Sequence, residues 1–169
     1  MKGIILAAGE GKRLRPLTKD IPKSMVNFCG TTLLERQIEV MRKCEINDII
    51  VITGYKAEKI NIRGINYSEN KNFERTNMVE TLFCAENELE DDVIVSYADI
   101  IYEKNVLENL IQSKEEISIV IDRKWKDYWR KRFDDPLKDA ESLKIDAEGN
   151  ISEIGQKVEN IDEIQGQYI

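Results

Sequence analysis

Histidine is absent from all 169 residues, and that absence narrows the chemistry before any motif is considered. A Ser-His-Asp triad, a Cys-His pair and a zinc site built on imidazole are all excluded. Reaction chemistry is left to carboxylates, Lys, Arg, hydroxyls, backbone N–H groups and a hard cation. Cysteine is scarce as well. Cys29, Cys44 and Cys84 are odd in number, far apart and without metal-ligand spacing, which reads as reduced structural thiols in a cytoplasmic protein. No apolar run approaches the roughly 18–20 residues a membrane span needs, and the Met1 start lacks a signal-peptide pattern. Nor is there an excess of positive charge. A formal net charge of −7 argues against nonspecific nucleic-acid binding, although a few Lys and Arg focused at one site suffice for a polyphosphate.

What remains, 41% hydrophobic and 34% charged residues, is ordinary for a soluble chain long enough for one domain with a real core. Short apolar runs alternate with amphipathic stretches. Gly3–Ala8 and Ile49–Thr53 read as buried strands, each closed by glycine, and Val93–Tyr97 as a third, closing on Asp99. Thr31 or Thr32 caps a helix running to about Cys44, with Leu33, Leu34, Ile38 and Met41 on one face. A short helix near Ala57–Ile60 and a strand near Ile65–Tyr67 follow. Met78–Leu89 and Glu103–Ser113 read as helices, and Ile117–Ile121 as a further strand. This order predicts an α/β fold, three-layered and Rossmann-like, around a mostly parallel central sheet. Beyond Asp122 the character changes to a basic helix with Trp125 and Trp129, then short strand-like pieces at Ser142–Ile145, Ile151–Ile154 and Ile164–Ile169. The chain is read as a single domain (1–169), with 1–122 as core and 123–169 as a second part. Because it stops inside an apparent strand, that second part is expected to be truncated.

Gly9 and Gly11 directly follow a buried strand, at the carboxyl edge where open α/β sheets bind ligands. Glycine there lets backbone N–H groups approach phosphates, but a plain tight turn explains the pair equally well. The spacing is neither the dinucleotide fingerprint, since Leu14 stands where a third glycine would, nor a Walker A loop. Asp99, at another strand's carboxyl end, reads on its own as a turn or cap residue. Thr76 or Asn77 caps the third helix. Gly54-Tyr55 sits at a carboxyl edge that would line a base pocket. Trp125 and Trp129, four apart, either pack their helix down or form an aromatic cage, with packing the simpler reading.

The longer string is more specific. Leu6-Ala7-Ala8-Gly9-Glu10-Gly11-Lys12-Arg13-Leu14-Arg15-Pro16-Leu17-Thr18, followed by Ile21-Pro22-Lys23-Ser24-Met25, resembles the signature of the sugar-1-phosphate and choline-phosphate nucleotidyltransferases. The resemblance implies a Mg²⁺-dependent enzyme that transfers a nucleotidyl group and releases pyrophosphate. It assigns Leu6, Ala7, Ala8 and Gly9 to the base and ribose, and Gly11 and Arg13 to the triphosphate. Lys23 neutralises phosphate charge, Asp99 holds Mg²⁺, and Glu10, Asn77 and Ala98 complete the nucleotide set. Arg13, Lys23 and Asp99 are thus the expected catalytic residues. The family's second metal-binding carboxylate lies near the C-terminus of longer members, and no residue here matches it.

The region after Asp122 looks like the cytidylyltransferase branch that activates phosphoglutamine, phosphocholine or 2-aminoethylphosphonate, which implies a place in capsule or cell-surface polysaccharide synthesis. CTP is therefore the expected nucleotide, and a small phosphorylated or phosphonylated metabolite the acceptor. Arg132 or Lys157 would hold the acceptor's phosphate, and Asp139 and Glu141 its amino group, unless these are solvated surface charges. Nucleic acid and membrane are not expected partners, and a homodimer is left open. Two alternatives stand: a sugar-1-phosphate enzyme using UTP, GTP or dTTP, and a noncatalytic nucleotide-binding regulatory domain.

Overall fold

A computed structural model describes residues 1–168, so Ile169, the last residue of the expected final strand, lies outside the described residues. The chain divides into two compact units, Met1–Ile111 and Gln112–Ile169.

In the first unit four parallel strands pair in the order β3-β2-β1-β4, where β1 is Lys2–Ala7, β2 Ile49–Thr53, β3 Asn66–Glu69 and β4 Val93–Tyr97. Gly3–Ala7 pairs in register with Ile49–Thr53, and Lys2–Leu6 with Val93–Tyr97. All five residues of β2 are buried, the pattern of a strand covered on both faces. The period-two alternation assigns each residue to one layer. Ile5, Val51 and Ile49 meet Leu34, Ile38 and Met41 of α1 (Leu33–Lys43) and Leu107 of α3 (Lys104–Ile111). Ile4, Ile50 and Ile52 face the other way, against Leu82, Ala85 and Leu89 around α2 (Met78–Phe83). The expected three layers and parallel sheet are present.

Local chemistry explains the element ends. Thr32 is the cap of α1: its Oγ1 accepts from the Glu35 N–H at 3.2 Å while Glu35 Oε2 accepts from the Thr32 N–H at 3.0 Å. The α-helix expected over Met78–Leu89 is shorter, because Ser68 Oγ donates to the Cys84 carbonyl at 2.5 Å and the chain continues as tighter turns to Glu86–Glu88. Leu82, Ala85 and Leu89 still reach the core.

In the second unit α4 spans Trp125–Arg132, and β5 (Leu143–Ile145) and β6 (Ile151–Ile154) form an antiparallel hairpin. Ile121–Asp122 pairs antiparallel with Gln167–Tyr168. The strand expected over Ile117–Ile121 is therefore corrected to its last residue and Asp122. Ile117 is 85% exposed, and no described strand pairs with 117–120, so β-branched propensity acts there without a sheet to join. Trp125 is buried with Ala140 and Ile164, and its ring meets that of Trp129 edge-on at 5.8 Å. The packing reading of this tryptophan pair is the right one. No helix among the described residues is long and apolar enough to cross a membrane.

Ile52→Ala, which empties a fully buried position in the second layer, is expected to cost about 2–5 kcal/mol in urea unfolding. Val95→Ala, on the same face of the sheet but 43% exposed, should cost no more than about 1 kcal/mol.

Candidate functional site

The chain passes from β1 to β2 and β3 on one side and places β4 on the other. The carboxyl ends of β1 and β4 are thus the point where strand order reverses, and open α/β sheets bind ligands in the crevice formed there. Just beyond those ends the Ala98 N–H donates to the Leu6 carbonyl at 3.1 Å, which holds the loop carrying Asp99 beside the loop that follows β1. A cleft of about 560 Å³ opens at this place, within the roughly 300–1,000 Å³ usual for small-molecule sites. Residues 6–11, Arg13, Lys23, Asn77, Ala98 and Asp99 all line it. Every residue that the family signature assigns to the nucleotide lies here.

The glycines differ in what they do. Gly11 has φ 63°, and a Cβ there would lie 2.8 Å from Lys23 Cβ and 3.2 Å from Thr18 Cγ2. Its carbonyl accepts from Thr18 Oγ1 at 2.8 Å and from the Leu14 N–H at 2.9 Å. Only glycine combines the left-handed backbone with that close approach. At Gly9 a Cβ would meet nothing within 4 Å, so the backbone stands open towards the cleft. Gly54 serves packing: an added Cβ would come within 2.8 Å of Ala8 Cβ and 2.9 Å of Phe73 Cβ. The expectation that Gly54-Tyr55 lines the base pocket is corrected. Phe73 lines the cleft, with Tyr55 edge-on to it at 6.2 Å.

Charge in the cleft is balanced although the chain carries −7. Lys12, Arg13 and Lys23 face Glu10, Glu74 and Asp99. Glu10 pairs with Lys12 at 2.9 Å and Arg15 at 3.0 Å, and Lys23 Nζ makes an ion pair with Asp99 Oδ2. Asn77 caps α2, its Oδ1 accepting from the Val79 and Glu80 N–H groups at 2.9 and 3.0 Å. That fixes the side-chain oxygen on the helix and leaves the NH₂ to the cleft, so capping and ligand contact are compatible.

Four supporting residues escaped the sequence reading. Thr18 is fully buried under Gly11. Asn70 Nδ2 donates to Thr76 Oγ1 at 2.8 Å and Thr81 Oγ1 at 2.9 Å, tying down the loop before Asn77. Ser24, buried in the cleft wall, has a hydroxyl with no hydrogen-bond partner among the described residues. Gln37, on α1, bonds the loop around Asp99. Thr18 and Ser24 stand in the signature string without a role attached to them, and Gln37 was readable as a polar residue within the apolar stripe of Leu33, Leu34, Ile38 and Met41.

The residues expected at an acceptor lie in the second unit, in separate places. Arg132, at the end of α4, stacks over Tyr128, Trp129 and Phe133 at 5.3, 5.2 and 5.0 Å. The aromatic rings thus already hold a guanidinium. Asp139 ends the turn after Pro136–Lys138. Glu141 and Lys157 flank the far end of the β5–β6 hairpin, where the Ser142 N–H donates to the Gln156 carbonyl at 2.8 Å. The Glu141 carboxylate accepts from the Tyr168 hydroxyl.

The fold is a doubly wound α/β sheet with a small-molecule-sized cleft at its switch point, and comparison gives the class. Residues 2–128 match the family model described as nucleotidyl transferase, and the chain belongs to that family. It is 43% identical to the CTP:phosphoglutamine cytidylyltransferase of Campylobacter jejuni, over all of this chain and 71% of that protein. It is 37% identical to the choline-phosphate cytidylyltransferase of Streptococcus pneumoniae, over 64% of this chain and 49% of that protein. Among solved structures, the inositol-1-phosphate CTP transferase from T. maritima superposes with a TM-score of 0.76 at 22% identity, over 99% of this chain and 67% of that one. That likeness speaks to the fold alone. The chain spans 71% of the first relative's length and about half of the second's.

Gly11→Ala is expected to lose at least about 1–2 kcal/mol of stability from its left-handed backbone alone. Gly9→Ala, whose methyl enters open space, should stay within about 0.5 kcal/mol of wild type. Urea midpoints of the two variants check the contrast.

Proposed function

We propose that this protein is a CTP-dependent cytidylyltransferase that joins the CMP unit of CTP to a small phosphorylated or phosphonylated metabolite. The observation that carries the reading is the meeting of Lys23 and Asp99 across the cleft at the β1/β4 crevice, beside the open backbone of Gly9. An acceptor oxygen attacks the α-phosphorus, the bond from that phosphorus to the oxygen bridging to the β-phosphate breaks, and pyrophosphate leaves. An acceptor phosphate is already an anion, so no residue has to remove a proton from it. A chain without histidine can perform this step.

The roles follow from position. The 6–11 loop offers backbone donors to the nucleotide, Arg13 a planar fork for the triphosphate, and Lys23 a point charge where negative charge grows. Asn77 supplies its NH₂ to the cleft. Mg²⁺ fits Asp99: among the cleft's three carboxylates, Glu10 is paired within its own loop by Lys12 and Arg15, while Asp99 stands at the carboxyl edge beside Lys23, and a hard cation there takes most of its ligands from phosphate and water. When bound it would offset charge on the phosphates.

In this reading 1–169 is one catalytic domain, with 1–122 serving the nucleotide and 123–169 contributing to the acceptor through Arg132, Asp139, Glu141 and Lys157. The Glu141 and Lys157 pair at one hairpin end offers opposite charges to an acceptor bearing both an amine and a phosphate. The preference for CTP and for a phosphoglutamine-like acceptor is supported by the cytidylyltransferases of similar sequence. Three free cysteines agree with a cytoplasmic reaction, and the product would serve cell-surface polysaccharide synthesis.

With CTP, Mg²⁺ and a panel containing phosphoglutamine, phosphocholine, 2-aminoethylphosphonate and sugar 1-phosphates, pyrophosphate release is expected with CTP and one of the first three. Release only with a sugar 1-phosphate and another nucleotide would favour a sugar-activating enzyme. Silence with every pair, despite nucleotide binding, would favour a regulatory domain. Asp99→Asn and Lys23→Met should each lower kcat by about 10²–10³ or more while leaving the fold intact. Near-normal turnover in either variant would remove that residue from the site.

A further inference from the structure

The side chain of Gln37 is 2% exposed, with both of its N–H donors and its carbonyl oxygen engaged. Nε2 donates to the Tyr97 carbonyl at 2.8 Å and to the Ile100 carbonyl at 2.7 Å, while Oε1 accepts from Ser96 Oγ at 3.0 Å. The two carbonyls straddle Ala98-Asp99. One amide therefore grips both ends of the short loop that carries Asp99, and Ser96 fixes which way the amide faces. The grip comes from α1, whose first turn is locked by the Thr32–Glu35 capping box and whose stripe is packed on the sheet. On its other side the loop is tied by the Ala98 N–H to the Leu6 carbonyl at 3.1 Å. Asp99 itself is exposed and its carboxylate pairs with the flexible Lys23 side chain, so the course of its backbone is set by the hydrogen bonds of the loop rather than at the carboxylate.

We infer that Gln37 is a positioning residue for Asp99: its buried amide fixes the 97–100 loop and thereby sets how strongly Asp99 takes up a divalent cation together with the nucleotide. The inference rests on the reading of the cleft given under Proposed function. An apolar residue at this position would satisfy the helix stripe equally well, as Leu34, Ile38 and Met41 do. The amide is needed only because the Tyr97 and Ile100 carbonyls turn inward, towards α1, so that Asp99 can face the cleft. Without the amide, the part-buried Ile100 carbonyl loses its donor and the Tyr97 carbonyl keeps only the long 3.5 Å contact from Ser96 Oγ, so the loop would rearrange.

Gln37→Met keeps the length and removes both donors. Ser96→Ala keeps Gln37 but releases its orientation, and serves if the first variant does not fold. Two readouts are independent of turnover. Amide hydrogen exchange in the nucleotide-free protein is expected to quicken about tenfold at Ala98, the scale of losing one to two net hydrogen bonds, with the Val51 amide in β2 unchanged. Mn²⁺ titrated into the protein with CTP, without acceptor, and followed by electron paramagnetic resonance should need about tenfold more metal for half-saturation. In turnover, the half-saturating Mg²⁺ should rise while the CTP KM at saturating Mg²⁺ moves less than threefold. A folded variant with unchanged Ala98 exchange and unchanged Mn²⁺ saturation overturns the inference, as does exchange quickened equally at Val51 and Ala98, which would mark a purely structural role. Wild-type pyrophosphate release is scored alongside. If wild type is silent, the reading of the cleft fails whatever Gln37 does. If wild type turns over and Gln37→Met matches it in all respects, only the positioning role fails.

Discussion

Everything at the site depends on the parallel pairing of β1 with β4 and its last rung, the Ala98 N–H on the Leu6 carbonyl. The two strands are distant in sequence, yet the pairing sets the glycine loop after one beside the carboxylate after the other. The pairing in turn depends on two apolar layers, since β1 must be buried on both faces to sit at the centre of the sheet. Core residues such as Ile4 and Ile5 therefore belong to the chemistry at one remove: they decide that the strand ends coincide.

The electrostatic arrangement suits a ligand that brings its own charge. Lys23 and Asp99 retain 28% and 36% side-chain exposure, a range in which ion pairs are worth about 0–1 kcal/mol. Such a pair holds both groups close to their places, and is weak enough to yield to a triphosphate. Each partner would be exchanged for a stronger one, Lys23 for phosphate oxygens and Asp99 for the cation that accompanies them. Glu10 is neutralised from within its own loop by Lys12 and Arg15, so it does not repel the phosphates at full strength.

The parts of this design that are periodic or local were legible in the amino-acid sequence. Strand β2, the stripe of α1, the Thr32 cap and the glycine loop all follow from short-range patterns, and the residues named from the family signature converge on one cleft. Other features depend on distant partners. Ile117–Val120 has the β-branched composition of a strand and, among the described residues, no strand beside it. The helix from Met78 ends early because a serine on β3 takes one of its carbonyls. Gly54 is small because Ala8 and Phe73 close over it, which no local pattern reveals. Gln37 shows the boundary well: its polarity in an apolar stripe could be seen, but not the carbonyls it reaches some sixty residues further along the chain. The acceptor residues were named on charge type alone, and the structure distributes them over α4, a turn and a hairpin end.

The central claim is that the cleft transfers a cytidylyl group to an acceptor that is already an anion. Phosphorus NMR of the protein with CTP, Mg²⁺ and a phosphorylated or phosphonylated acceptor tests it most directly. The account predicts that the three CTP resonances decay together with the acceptor's, replaced by free pyrophosphate and the coupled pair of an asymmetric diphosphate joining CMP to the acceptor. Loss of CTP to CMP and pyrophosphate with the acceptor signal unchanged, or no change in CTP at all, would contradict it.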